Sequence, residues 1–135
     1  DNAILGLVET DLGLIPGFGG VGRLCRRVGI ARAKEFIFSA AKLSAQKALE
    51  TGLVNEVVPE GEVVEAATAL AEKISKRGPY AIGLCKRLLA EGADADLRTA
   101  NAMESRAFGL VFGSRDRQIG IEAFMEKRKP NFEGR

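Results

Sequence analysis

Histidine is absent from this chain of 135 residues. That excludes Ser-His-Asp and Cys-His nucleophile systems and the usual zinc sites. Proton chemistry near neutral pH would therefore fall to carboxylates. Cysteine is scarce as well. Cys25 and Cys85 are the only two, they lie far apart in segments that read as helical, and neither belongs to a metal-like pair. Both read as buried reduced thiols, which fits a bacterial cytoplasm or a mitochondrial matrix. Long apolar runs are missing too: none approaches the roughly 20 residues a bilayer span requires, and no secretory h-region opens the chain. There is little charge excess, since 20 basic against 18 acidic residues leave a net charge of +2. Such a balance does not by itself predict a polyanion partner. The chain starts Asp1-Asn2-Ala3 without an initiator methionine, as a cleaved, split or partial piece would.

What is present reads as an ordinary globular protein, 46% hydrophobic and 28% charged, with room for one modest core. Ala3 to Val8 is a short apolar run and is expected to form a buried strand. Glu9-Thr10-Asp11 interrupts it, and Leu12 to Ile15 lead into Pro16-Gly17-Phe18-Gly19-Gly20, whose turn-forming residues predict a loop. Val21, Leu24, Cys25 and Val28 then follow helical spacing up to Gly29. A second helix is expected over 31–39, and a third from an N-cap at Ser44 to Gly52. Leu53 to Val58 reads as a strand stopped by Pro59. The rest is helical. The stripe Val63, Ala67, Leu70, Ile74 closes at Gly78-Pro79; Ala81, Leu84, Cys85 and Leu88 close near Gly92. Leu97, Ala100, Ala107, Phe108 and Val111 mark a longer helix ending at Gly113, and Ser114 caps a last one through Phe124 to about Arg128. Strands are thus confined to the first 60 residues, and a lone strand pair does not make a stable sheet. No repeat, low-complexity tract or flexible linker divides the chain.

Glu9 is the candidate catalytic residue. A glutamate in a turn is ordinarily solvated, but strongly apolar flanks put this carboxyl in a partly desolvated setting of the kind general acids use. The loop at 17–20 opens the next helix and offers free backbone N–H groups that can orient a water or an oxyanion. Gly17 to Gly22 also matches G-x-G-x-x-G. That dinucleotide fingerprint needs a βαβ unit with an acidic residue ending its second strand; here a helix is expected over 31–41 instead.

Three ordered blocks carry a resemblance to the enoyl-CoA hydratase (crotonase) family. The first is Leu5-Gly6-Leu7-Val8-Glu9-Thr10-Asp11-Leu12-Gly13-Leu14-Ile15-Pro16-Gly17-Phe18-Gly19-Gly20 followed by Arg23-Leu24. The second runs from Ser44-Ala45-Gln46-Lys47-Ala48 through Gly52 to Val58. The third is Phe124-Met125-Glu126-Lys127-Arg128-Lys129-Pro130-Asn131-Phe132. The resemblance implies an α/β fold: the C-terminal part of a crotonase ββα spiral with its catalytic loop over 1–60, then a helical trimerisation region over 61–135. It implies reversible syn addition of water to a 2-enoyl-CoA thioester by two glutamates sharing one water. Glu9 matches the glutamate that exchanges a proton at C2, and Gly17 the glycine whose amide helps position the water. The resemblance also assigns substrate or coenzyme contact to Pro16, to Phe108 (the adenine end) and to Lys127, commonly from a neighbouring subunit.

Subunits of the family are about twice as long. The missing N-terminal half would supply the other glutamate, the thioester oxyanion hole and most of the pantetheine channel, so the isolated chain is expected to be inactive and prone to aggregate. The expected partners are an acyl-CoA, that N-terminal half, and further copies in a trimer or dimer of trimers. No metal or separate cofactor is expected, because the substrate carries coenzyme A. Two alternatives stay open. One is another acyl-CoA activity on this scaffold, such as isomerisation, decarboxylation or methylglutaconyl-CoA hydration; the segments Gly6 to Thr10 and Ala33 to Ala40 look especially similar to methylglutaconyl-CoA hydratases. The other is RNA binding through Arg23, Arg26, Arg27, Arg32 and Lys34, although no aromatic-interleaved RNA motif accompanies them.

Overall fold

The computed structural model describes residues 1–135. The chain divides into two compact units, Asp1–Ala67 and Thr68–Arg135.

In the first unit, strand β1 (Ile4–Gly6) pairs antiparallel with β2 (Lys42–Ser44), Leu5 opposite Leu43. A 3-10 helix (Glu9–Leu12) follows β1, and α1 (Gly20–Val28) and α2 (Ile30–Phe38) come next. Their apolar spacing decides what they bury. Leu24 and Val28 lie one turn apart on α1, and Ala33, Phe36 and Ile37 form an i, i+3, i+4 face on α2. With Leu43 these side chains make the core, packed by Leu7, Cys25, Ala41 and Leu53. Gly29 ends α1 and starts α2 at φ 81 and ψ 159, a backbone region essentially closed to other residues. Helix α3 (Ala45–Glu50) is capped as its sequence predicts, the Ser44 side chain accepting from the Lys47 N–H at 3.2 Å.

Three sequence expectations fail. The strand expected over 3–8 is confined to Ile4–Gly6, and it is not buried: Ile4 is 71% exposed. Leu53 to Val58 is no strand but an irregular stretch, whose first amides, of Leu53 and Val54, close α3 by donating to the Ala48 carbonyl. The β-prone residues there pair with neither strand of the sheet, and strand propensity without a partner makes no strand. The Lys42–Ser44 strand was not expected, and it takes up one edge of β1 instead. The expectation of two buried thiols fails as well. Cys25 is half-buried, but Cys85 is exposed, on a helix that buries none of its residues.

Helix α4 (Val63–Ser75) carries the chain from one unit into the other and buries none of its residues. The second unit continues with α5 (Pro79–Gly92), α6 (Leu97–Phe112) and α7 (Arg115–Met125). Pro79 opens α5 at a position where its missing N–H costs nothing. Ser114 caps α7, accepting from the Arg117 N–H at 3.1 Å. Asp96 caps α6, accepting from the Thr99 N–H at 3.0 Å and the Thr99 hydroxyl at 2.6 Å. These bonds, the hydroxyl's above all, hold the Asp96 carboxyl below its ordinary 3.8. Few apolar side chains are covered here: Ala107, Ile119 and Ala123 are buried, while Leu89, Leu97, Leu110, Phe124 and Met125 are exposed. No helix is long and apolar enough to cross a membrane.

Two tests follow from this local chemistry. A Cβ on Gly20 would lie 2.8 Å from Pro16 Cβ, whereas one on Gly22 meets only the far end of the long Arg26 side chain at 3.4 Å. Gly20→Ala is therefore expected to destabilise the protein by about 1–3 kcal/mol, and Gly22→Ala to be neutral or stabilising by up to about 1 kcal/mol, as read by denaturant midpoints. A carboxyl lowered by folding stabilises above its unfolded value and loses that contribution as pH falls through the folded one. Melting temperature should therefore drop on acidification below about pH 4, and Asp96→Asn should flatten that part of the profile.

Candidate active site

The candidate residues of the first unit share the connection between β1 and α1. Glu9 begins the 3-10 helix, which Gly13 closes in a left-handed conformation with φ 68. The Glu9 carbonyl accepts from the Leu14 N–H at 3.0 Å, so the backbone at the glutamate is fixed. The helix is also pinned from the side, because the Thr10 hydroxyl donates to the Ile37 carbonyl at 2.7 Å near the end of α2. The Glu9 side chain is only partly accessible, and its Oε2 is buried with no hydrogen-bond partner in the chain. Buried polar oxygens are normally satisfied. Glu9 Oε2 and Arg117 Nε are the two buried side-chain atoms left unsatisfied.

The glycine-rich turn lies between Pro16, which is buried, and the start of α1. Gly17 is exposed, and its amide donates to no group of the chain. Gly19 caps α1 without a side chain, so the first N–H groups of that helix are left to outside acceptors. Arg23 reaches back from α1 and donates to the Phe18 carbonyl, tying the turn to the helix. Phe18 itself is 97% exposed, and Leu12, Leu14 and Ile15 beside it are also uncovered. The catalytic-loop candidates are thus rigid in the backbone and bare on the outside.

A groove of about 320 Å³ in this unit runs past Leu5, Leu7, Leu24, Phe36 and Leu43, with Arg23 and Arg27 at its rim. Glu9 is not among its lining residues. The segment after α1 is helical, so the G-x-G-x-x-G match lacks the βαβ setting it needs.

The other two candidates belong to the second unit. Phe108 on α6 is 65% exposed and joins Leu84, Leu88 and Val111 along a groove of about 400 Å³. Its ring lies 5.8 Å from that of Phe112, over which the Arg117 guanidinium sits at 4.4 Å. A cation over a ring face is attractive, and the stack holds the two phenylalanines in place. Lys127 is exposed in the turn after α7 at φ 54, a conformation that costs a residue other than glycine about 1–3 kcal/mol.

Sequence reasoning missed Thr10, Arg117 and Asp116. Thr10 and Asp116 act through contacts distant in the chain, whereas Arg117 acts on Phe112 only five residues before it, where a basic residue after an aromatic was the available signal. Thr10→Val should cost about 1 kcal/mol of stability by leaving the Ile37 carbonyl with only its longer bond from the Ala40 N–H at 3.3 Å, and Thr10→Ser should recover most of it, both read as shifts in the denaturant midpoint.

Comparison with known proteins accords with this geometry. A family model described as enoyl-CoA hydratase/isomerase matches residues 1–135. The short-chain-enoyl-CoA hydratase of Clostridium acetobutylicum is 44% identical over 95% of this chain and 49% of its own length. The human mitochondrial enoyl-CoA hydratase domain-containing protein 2 is 41% identical over 99% of this chain and 47% of its own. The crystal structure of enoyl-CoA hydratase from Bacillus anthracis superposes with a TM-score of 0.94 at 46% identity, over 98% of this chain and 52% of that one. The chain spans about half the length of the relatives it matches, their C-terminal half.

Proposed function

This chain belongs to the enoyl-CoA hydratase/isomerase family, and on that premise we propose that it carries the C2 half of a hydratase site for 2-enoyl-CoA thioesters. In this reading the other half of the site, with a second glutamate and the thioester oxyanion hole, comes from a segment equivalent to the rest of the relatives' length. Water adds its oxygen to C3 as that second glutamate takes one of its protons. Electron density moves onto the thioester, C2 gains enolate character, and the Glu9 carboxylic acid delivers a proton to C2. The product is a 3-hydroxyacyl-CoA. In reverse, the Glu9 carboxylate removes the C2 proton while the second glutamate protonates the C3 hydroxyl, which leaves as water. The Gly17 amide, free within the chain, donates to the water and orients it. Pro16 sets the course of the turn into Gly17, and Phe108 and Lys127 meet the coenzyme.

The observation that carries the reading is the buried, partnerless Oε2 of Glu9. The carboxyl oxygen is shielded from bulk water and makes no hydrogen bond inside the chain, which leaves it available to act as a general acid. No separate cofactor enters the scheme, because coenzyme A arrives with the substrate. The uncovered apolar side chains of the second unit, Leu110, Phe124 and Met125 among them, support assembly into a trimer or a dimer of trimers. The bacterial and mitochondrial relatives support a bacterial cytoplasm or a mitochondrial matrix as the compartment.

In the enzyme assembled with its complementing half, Glu9→Gln should lower kcat for crotonyl-CoA by about 10²–10⁴-fold; a rate within severalfold of the parent contradicts the assignment. The isolated chain should give no measurable hydration, and turnover by it at ordinary hydratase rates would overturn the two-half arrangement.

A further inference from the structure

The hydration chemistry leaves Asp116 without a role, yet Asp116 is buried to 3% exposure. It sits in the first turn of α7, and the end of the chain folds back onto it. Its Oδ1 accepts from the Glu133 N–H at 2.7 Å and the Gly134 N–H at 3.0 Å, and Oδ2 lies 3.2 Å from the same Gly134 nitrogen. The Asp116 N–H donates in turn to the Arg135 carbonyl at 2.9 Å. Between these anchors the Phe132 ring lies against the bare backbone of Gly120, where an added Cβ would come within 3.4 Å of it.

The other end of the tail is held only by the closing bonds of the helix. The Lys127 N–H donates to the Phe124 carbonyl at 3.2 Å and the Arg128 N–H to the Ala123 carbonyl at 3.0 Å. An α-helix of 11 residues rises about 16 Å, and the chain from Lys127 to Glu133 reaches about 20 Å at full stretch. A tail returning from one end of α7 to the other therefore has only a few ångströms of slack. Charge along it is arranged as unevenly as the geometry. Glu126 is paired with Arg128, and Glu133 with Arg135. The Lys127 and Lys129 ammonium groups pair with nothing in the chain, so the strap presents net positive charge at the turn where Lys127 holds its left-handed conformation.

We propose that Asp116 is a positioning residue for the nucleotide end of the substrate: by tying down Glu133 and Gly134 it tightens the tail and keeps the Lys127 ammonium aimed at a phosphate of the coenzyme. The inference rests on the reading of Lys127 as a coenzyme contact, and it assigns to the buried aspartate the rigidity that contact requires. Without the anchor the tail frays and Lys127 relaxes, so phosphate binding weakens while the acyl end is unaffected.

The assembled enzyme tests this with two substrates, crotonyl-CoA and crotonyl-pantetheine, which has the thioester but no nucleotide phosphates. Asp116→Asn keeps the side-chain shape but replaces an acceptor with a donor facing the Gly134 N–H. It should raise KM for crotonyl-CoA about tenfold and leave KM for crotonyl-pantetheine within twofold. Lys127→Met should do the same, and the double variant should be no worse than Lys127→Met alone, because one residue acts through the other. A chain ending at Phe132 removes both donors, together with the Arg135 carbonyl that accepts from the Asp116 N–H, and should repeat the Asp116→Asn pattern even if that variant fails to fold. An unchanged KM in Asp116→Asn and in the shortened chain, with Lys127→Met impaired, overturns the inference and leaves the Lys127 contact standing. An unimpaired Lys127→Met overturns both. Equal rises in KM for the two substrates reduce Asp116 to a structural staple.

Discussion

A buried carboxylate oxygen with no hydrogen-bond donor costs a folded protein about 1–3 kcal/mol or more, and Glu9 holds one in that state. The surrounding structure is organised so that the oxygen stays there. The 3-10 helix that Glu9 begins is closed by Gly13 and fastened to α2 through Thr10, so the backbone that carries the carboxyl is held on both sides. On the far side of the same connection, Arg23 holds the glycine turn onto α1, and the close approach of Pro16 to Gly20 sets where that turn begins. Two unfilled demands, a carboxyl oxygen lacking a donor and a Gly17 amide lacking an acceptor, are thus built into one short connection. In the proposed reaction, a water held between the acid and the amide, beside the double bond of an enoyl thioester, would answer both.

The uncovered apolar surface of the first unit has the same origin. Leu12, Leu14, Ile15 and Phe18 are exposed on the stretch that carries the catalytic candidates, and the two-stranded sheet is below the size that is stable alone. A chain matching about half of each relative would need just such surface to seat the rest of a hydratase subunit. The second unit differs in kind. Its helices are well capped, by Asp96 and Ser114, but thinly cored, so local chemistry fixes each helix while covering of the faces is left to neighbours.

Legibility in the sequence followed the range of the interaction. Helices whose apolar residues recur at helical spacing, and caps set by Ser44, Gly29 and Ser114, could be read directly because their determinants lie within a turn or two. The functional reading of Glu9 and Gly17 came from the resemblance of a whole block, since spacing alone left Glu9 as an ordinary turn glutamate. What escaped was non-local. Leu53 to Val58 has strand composition but no edge to join, and Lys42–Ser44 has an undistinguished composition but lies beside β1. Asp116 reads as one more acidic residue near a helix start until the chain end is seen wrapped onto it.

The most direct measurement is the structure of the assembled enzyme with a non-hydrating acyl-CoA thioester bound. If Glu9 is the C2 acid, its unsatisfied oxygen will sit within about 3–3.5 Å of the thioester's C2, with an ordered water shared by that carboxyl and the Gly17 amide. A Glu9 carboxyl satisfied instead by donors of the complementing half, with C2 lying elsewhere, would contradict it.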